Sequence, residues 1–188
     1  MNEYYSLTIA GLVRELPICK ISETVSIAAF VIFGDVELTV AAAAELLRIV
    51  PAHDIIITPE SKAIALAHEM ARQNGNAPYI VARKNIKLYM KDVLSVELQS
   101  ITTENKQSLH IDSADAERMR GKRVLIVDDV ISTGESLRAA EQLVTAAGGI
   151  TVGRAAILAE GDAAQRSDII FLAPLPLFDN AGNAIESI

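Results

Sequence analysis

Residues 124–136, which read VLIVDDVISTGES, combine side chains that can bind both parts of a sugar phosphate. Four apolar residues predict a buried strand, and Asp128 and Asp129 follow at its carboxyl end. A Ser/Thr/Gly turn then opens a helix. Because open α/β sheets bind ligands at the carboxyl edge of their strands, we take this segment as the candidate site.

The turn has the chemistry of a phosphate cradle. Backbone N–H groups at a helix N-terminus have no intrahelical acceptor, so they can donate to an anion. Five residues supply these amides, three of them with hydroxyl groups: Ser132, Thr133, Gly134, Glu135 and Ser136. The two acids can accept hydrogen bonds from a ribose diol or hold Mg²⁺ through water. The turn could instead simply cap a helix beside a solvated strand end, but paired acids after an apolar strand favour ligand binding.

The same thirteen residues resemble the phosphoribosyl diphosphate (PRPP) signature of the type I phosphoribosyltransferases. The resemblance implies that Asp128 and Asp129 bind the ribose hydroxyls, act in catalysis and hold Mg²⁺ through water. It also implies that the five turn residues bind the 5′-phosphate of PRPP. Glu135 stands where this family often has Gly or Thr, so its carboxylate would have to point away from the phosphate.

Two further segments resemble the diphosphate-binding parts of this family. Glu60, Ser61 and Lys62 follow an apolar run and resemble a short loop that reads D/E-S-R-G in adenine phosphoribosyltransferases, with Lys and Ala here in place of Arg and Gly. Arg83 and Lys84 resemble the A-R-K sequence of the adenine and xanthine enzymes. On residue types alone these segments could equally be a helix start and a solvated cationic pair. The resemblance implies that they bind the departing diphosphate.

The polar segment 84–120 has no clean period and interrupts the regular pattern of the chain. A long irregular insert in a compact α/β domain is typical of a working loop. This one resembles the flexible catalytic flap of the family, in which adenine enzymes place a carboxylate near the base. Glu97 and Glu104 are the candidates for that carboxylate, and Glu97 is our choice.

The acceptor base has candidate contacts on two sides. By analogy with the family, Val130 and Ile131 would contact one face of the base, and Phe30 or Phe33 the other. Both phenylalanines fit the hydrophobic core equally well.

Strand and helix patterns alternate along most of the chain. Apolar runs predict strands at 25–34, 54–58, 78–82, 124–127, 150–159 and 168–172, and helices are predicted up to Val50, over 61–74 and over 134–147. Continuous apolar strands separated by helices indicate a parallel sheet covered on both faces. The first 24 and last fifteen residues break this pattern and could form a small cap or edge. We therefore expect a single α/β domain over 1–188 with the type I phosphoribosyltransferase fold, a flap and an N-terminal hood.

Composition excludes several classes of protein. With 188 residues and 51% apolar residues, the chain suits one folded domain, and a net charge of −7 disfavours binding to a nucleic-acid backbone. A single cysteine, Cys19, allows no intrachain disulfide and fits a reducing compartment. We expect a cytoplasmic location and no membrane span, because no segment offers about 20 consecutive apolar residues.

The expected function is that of an Mg²⁺-dependent purine phosphoribosyltransferase of the adenine or xanthine type, with PRPP and a purine base as substrates. Hypoxanthine-guanine enzymes typically carry Asp where this chain has Ser132, and the K-D-H-G-E-G-G flap pattern of orotate enzymes is missing. Two alternatives stay open: a catalytically silent PRPP-binding regulator, and an enzyme that acts on a non-purine base. The resemblance also implies a homodimer.

Overall fold

A computed structural model describes residues 3–98, 107–179 and 181–185; Glu104 lies outside these residues. In chain order the strands are β1 (Tyr4–Ile9), β2 (Leu12–Lys20), β3 (Ser26–Ala28), β4 (Ile55–Pro59), β5 (Tyr79–Ala82), β6 (Leu94–Leu98), β7 (Gln107–Ile111), β8 (Arg123–Ile131), β9 (Ile150–Glu160), β10 (Ile170–Leu175), β11 (Leu177–Phe178) and β12 (Ala184–Ile185). The α-helices are α1 (Val36–Ile49), α2 (Ile64–Gln73), α3 (Ser113–Met119) and α4 (Glu135–Ala146), and a 3₁₀ turn covers Gly161–Gln165.

A five-stranded parallel sheet forms the centre of the fold, in the order β10-β9-β8-β4-β5. Apolar residues of α1 and α2 pack in the core on one face, and those of α3 and α4 pack on the other. Both faces of the sheet are therefore buried, which explains why its strands are continuously apolar. The predicted α/β fold with a central parallel sheet flanked by helices is confirmed.

A second sheet joins the two ends of the chain into a hood. Its order is β1-β2-β3-β11-β12, with antiparallel pairing throughout. The strand predicted over 25–34 is wrong in both length and partner, because β3 spans only three residues and pairs with β2 and β11. Phe30 and Ile32, beyond its end, are buried in the core without forming a strand. Their apolar character reflects packing of the connection to α1, not pairing in the central sheet.

The segment predicted as one irregular insert, 84–120, contains regular structure. β6 and β7 form an antiparallel ribbon, and the backbone amides and carbonyls of Arg83 and His110 exchange hydrogen bonds of 2.8 Å that tie this ribbon to the end of β5. Leu109, Ile111 and Met119 are buried in the core. Such short elements carry too few turns or alternations to show a period, so the sequence pattern missed them. Among the described residues, no helix is long and apolar enough to cross a membrane.

Candidate active site

Three loops meet at the carboxyl edge of the central sheet. They follow the neighbouring strands β5, β4 and β8, which run parallel, with Ile57 paired to both Ile80 and Ile126. The loops after these strands carry the two candidate diphosphate segments and the candidate sugar-phosphate segment. The sheet thereby gathers residues that lie far apart in the sequence.

The acid pair occupies the last part of β8. The Asp129 side chain is 5% exposed, and its backbone N–H donates a 2.9 Å hydrogen bond to Oδ1 of Asp128. Burial raises the pKa of Asp128 to about 7, and the negative charge of Asp129 acts in the same direction. Near pH 7 the Asp128 carboxyl is therefore about half protonated, whereas an isolated aspartate is ionised.

Lys62 connects the loop after β4 to this acid pair. Its Nζ atom lies 2.9 Å from Oδ2 of Asp129, and its side chain remains 45% exposed. Asp129 Oδ2 is buried and has no hydrogen-bond donor of good geometry among the described residues, so the ammonium acts on it mainly as a charge. A half-exposed cation beside a buried carboxylate can turn to a phosphate that enters the same cavity.

Glu60 joins the two diphosphate segments to each other. Its Oε2 accepts a 3.0 Å hydrogen bond from the backbone N–H of Lys84, and its Oε1 lies 3.6 Å from Nη2 of Arg83. The peptide bond between Glu60 and Ser61 is cis. Through its contacts with both residues, Glu60 holds Arg83 and Lys84 beside the loop of Lys62. A cavity of about 250 Å³ lies between the loops, lined by Pro59, Glu60, Ser61, Lys62, Lys84, Asp128, Asp129, Val130 and Ser136.

The turn after β8 forms a second, smaller cavity of about 50 Å³. Gly134 is the residue before α4 and has a left-handed backbone with φ of +76°, which glycine adopts without steric cost. Gly134 has no side chain to cap this helix, and the amide of Glu135 donates to Oγ1 of Thr133 at 3.4 Å. Backbone amides at a helix N-terminus have no intrahelical acceptor, so they can donate to an anion. The wall consists of Asp128, Val130, Ile131, Ser132, Thr133, Gly134, Glu135, Ser136 and Leu137. Three of these residues, Asp128, Val130 and Ser136, also line the larger cavity, so the two spaces adjoin.

The acid pair fits a magnesium ion that is bound partly by phosphate. Among the described residues, no three His, Cys, Asp or Glu side chains form a cluster that could hold a metal. Mg²⁺ commonly takes one or two carboxylates, several waters and the phosphates of its substrate. Asp128 and Asp129 supply that number of carboxylates: both line the larger cavity, and Asp128 also lines the smaller one.

The structure brings some of the candidate base contacts to the site and leaves others apart. Val130 lines both cavities, and Ile131 is buried and lines the smaller one. Phe30 is packed in the hydrophobic core and lines neither cavity. Glu97 lies on β6 with an exposed side chain and lines neither cavity. The roles of these four residues stay predictions, and Glu104 lies outside the described residues.

Sequence reasoning missed two charged residues near this edge. Glu160 ends β9, and burial raises its pKa, while the charge of Lys62 acts in the opposite direction. Its position directly after the apolar run 155–159 is a signal that could have found it. Arg166 lies against Gly134, and nothing local in the sequence indicates that contact.

Comparisons with known proteins agree with this arrangement. A model of the phosphoribosyl transferase domain matches residues 35–174. An adenine phosphoribosyltransferase from Petrotoga mobilis is 37% identical over 101 residues, which cover 53% of this chain and 54% of that protein. An orotate phosphoribosyltransferase from Sphingopyxis alaskensis is 33% identical over 122 residues, covering 64% of this chain and 51% of that protein. The matches thus span about half the length of these curated relatives.

A crystal structure of adenine phosphoribosyltransferase from Thermoanaerobacter pseudethanolicus has the same fold. It superposes with a TM-score of 0.59 at 26% identity, covering 73% of this chain and 79% of that chain. The family model covers 140 of the 188 residues, including all three loops of the site. The resemblance in the sequence is confirmed, and the chain belongs to the type I phosphoribosyltransferase family.

Proposed function

We propose that this protein is a purine phosphoribosyltransferase, which transfers ribose 5-phosphate from PRPP to a ring nitrogen and releases diphosphate. The observation that carries the proposal is the junction of the two cavities at Asp128, Val130 and Ser136. PRPP would lie along this surface, with its 5′-phosphate in the smaller cavity, its ribose at the two acids and its diphosphate in the larger cavity with Lys62 and Lys84.

Each group of residues has a role in the proposed reaction. Amides of the turn 132–136 hold the 5′-phosphate, and Asp128 and Asp129 accept hydrogen bonds from the ribose hydroxyls. Lys62 and Lys84 line the larger cavity and neutralise the diphosphate, with Arg83 held beside them by Glu60. Mg²⁺, when bound through waters on the acids, supplies further positive charge for the leaving group.

The proposed transfer exchanges one bond for another. The ring nitrogen bonds to C1′ while the bond from C1′ to the diphosphate oxygen breaks, and the electron pair leaves with diphosphate. The proton on the ring nitrogen must then pass to a base, a role that we assign to Glu97. Positive charge develops at C1′, so water must be kept out, and we assign this task to the flap 84–120. Val130, Ile131 and Phe30 are the proposed contacts of the purine.

The decisive experiment is an assay of diphosphate release with Mg²⁺, PRPP and one base at a time. The panel is adenine, guanine, hypoxanthine, xanthine, uracil and orotate. We expect release with a purine and none with the pyrimidines. The double variant Asp128→Asn/Asp129→Asn should remain folded and lose both release and PRPP binding, whereas the exposed Glu45→Gln should behave like wild type.

The orotate relative keeps a second candidate open, namely transfer to a pyrimidine. Release with orotate or uracil alone would replace the purine assignment. Calorimetric binding of PRPP without release from any base would instead favour a catalytically silent regulator. Failure to bind PRPP at all would contradict all of these functions.

We also propose that the protein acts as a homodimer in the cytoplasm. An open apolar groove of about 620 Å³ adjoins the 250 Å³ cavity of the candidate active site, since Ser61 lines both. Three apolar side chains on the groove wall are exposed: Phe33 (56%), Val36 (72%) and Val40 (41%). Burial of such side chains favours association. Sedimentation equilibrium should give a dimer, and Val36→Glu a monomer; a monomeric wild type would contradict the dimer.

The lone exposed thiol of Cys19 is compatible with a reducing compartment.

A further inference from the structure

The smaller cavity has an unusual charge balance for a phosphate site. Its wall contains two acids, Asp128 and Glu135, and no Lys or Arg. A sugar phosphate brings two more negative charges near neutral pH. The backbone amides and the positive end of α4 oppose this repulsion only in part, because a helix terminus is equivalent to about half a charge.

Arg166 lies directly behind this wall. A Cβ atom added to Gly134 would meet Nη1 of Arg166 at 2.6 Å, so the guanidinium occupies the space on that face of the glycine. The chain reaches this place from the 3₁₀ turn after β9, at the same edge of the sheet. The guanidinium of Arg166 therefore lies beside Gly134, in the turn whose amides the phosphate would meet.

Asp168 fixes the orientation of this guanidinium. Nε of Arg166 donates to Oδ1 at 2.9 Å and Nη2 donates to Oδ2 at 2.8 Å, which is the two-bond geometry of a rigid pair. Nη1 makes no hydrogen bond within the described part of the chain and is the nitrogen turned to Gly134. Asp168 compensates the charge of Arg166, so the guanidinium can lie beside the N-terminus of α4, where the helix dipole would otherwise disfavour a cation.

We infer that Arg166 is a positioning residue for the 5′-phosphate: it supports the turn at Gly134 and supplies the positive charge that the cavity wall lacks. The inference rests on the proposed function, since it assumes that this cavity takes a phosphate. Arg166 acts through the turn and does not belong to the wall itself. Asp168 in turn holds Arg166 in place.

Two small ligands allow the two halves of the site to be tested separately. Ribose 5-phosphate carries the group that the turn would bind, and inorganic diphosphate with Mg²⁺ carries the group for the cationic side. Calorimetry with Arg166→Gln should show ribose 5-phosphate binding weakened about tenfold, because the turn at Gly134 loses its support and the phosphate loses a nearby positive charge. Diphosphate affinity should stay within twofold, and the salt dependence of ribose 5-phosphate binding should become shallower.

Two further variants make the test specific. Arg166→Lys keeps the charge, so it should recover part of the affinity and serves if the glutamine variant does not fold. Arg123→Gln is the matched control, because Arg123 forms a similar two-bond pair with Asp54 at the opposite edge of the sheet. It should bind ribose 5-phosphate like wild type.

The outcomes are distinguishable. If wild type binds ribose 5-phosphate and Arg166→Gln binds it equally well, the inference is wrong while the proposed function stands. If the variants lose both ligands together, Arg166 is merely structural and the inference is also wrong. A wild type that binds neither ligand would overturn the proposed function and the inference with it.

Discussion

Nζ of Lys62 lies 2.9 Å from Oδ2 of Asp129, and this contact joins the loop after β4 to the end of β8. The two residues approach because their strands are parallel neighbours in the central sheet. The lysine thus compensates a buried carboxylate. Binding of a diphosphate would give the same ammonium a second, stronger anion.

Replacing Lys62 should affect both substrate affinity and stability. We expect Lys62→Met to raise the KM for PRPP at least about tenfold, because a charge-assisted contact with diphosphate is lost. The unpaired Asp129 should lower the free energy of unfolding by about 1–2 kcal/mol, less than for a fully buried pair because Lys62 is 45% exposed. Steady-state kinetics and urea denaturation measure the two effects.

Lys62→Arg should retain most of the affinity, since it keeps the cation, and the exposed Lys122→Met is the control. A double-mutant cycle of Lys62→Met with Asp129→Asn should give a non-zero coupling energy for stability. Additive effects in that cycle would show that the two side chains do not interact.

Asp128 should make the ligand-free protein less stable as the pH rises. Its pKa is raised from 3.8 to about 7 in the folded state, so the folded protein binds this proton more tightly than the unfolded chain does. Its contribution to stability is therefore fully present below pH 3.8 and is lost as the pH rises through about 7. Asp128→Asn should remove this loss and be at least as stable as wild type at pH 8. Denaturant titrations at pH 5 and pH 8 test the prediction, which fails if wild type and variant show the same change between these pH values.

Gly134→Ala should disrupt the turn for two separable reasons. The left-handed backbone costs a non-glycine residue about 1–2 kcal/mol, and the new methyl group would lie 2.6 Å from Nη1 of Arg166. The matched control is Gly75→Ala, whose φ of +72° carries the same backbone cost with no atom within 4 Å. Thermal unfolding should show a loss in both variants, and the loss should be larger in Gly134→Ala because Arg166 must also be displaced. Ribose 5-phosphate binding should fall only in Gly134→Ala, and an equal fall in Gly75→Ala would contradict a local effect.

Asp35 should stabilise the junction between the hood and the central domain. It caps α1 by accepting a 3.0 Å hydrogen bond from the Leu38 amide, and it pairs with Arg14 of β2 at 2.6 Å. Asp35→Ala should therefore cost about 1–2 kcal/mol at pH 7. Arg14 lowers the pKa of Asp35, so this contribution is present above pH 3.8 and disappears as the pH falls through the lower folded-state pKa.

Urea denaturation at pH 7 and pH 3 measures this difference, and Glu45→Gln in the exposed pair with Arg48 is the control. The cost of Asp35→Ala should shrink at the lower pH. A cost that grows on acidification would show that the carboxylate is not the stabilising form.

Local pattern was sufficient for much of the central domain. The apolar runs at β4, β5, β8 and β9 predicted strands within a few residues of their bounds. Strands that are buried on both faces are continuously apolar, so they stand out from the polar segments around them. The ribbon of β6 and β7 was missed because it is held by contacts with β5 and α4, and the short helix α3 was missed because it has too few turns to show a period. The apolar run after β3 was misassigned because burial alone does not distinguish a strand from a packed connection.

The sequence by itself determined the order of strand, acid pair and turn at 124–136, because hydrogen bonding at a helix N-terminus and burial of a short apolar run are local properties. It also indicated the two cationic loops. Only the tertiary structure decided that Lys62 meets Asp129, that the hood is built from both ends of the chain, and that Arg166 lies against Gly134. Those relationships depend on which strands are neighbours in the sheets and on where long side chains come to rest, and such contacts leave no periodic signal in the chain.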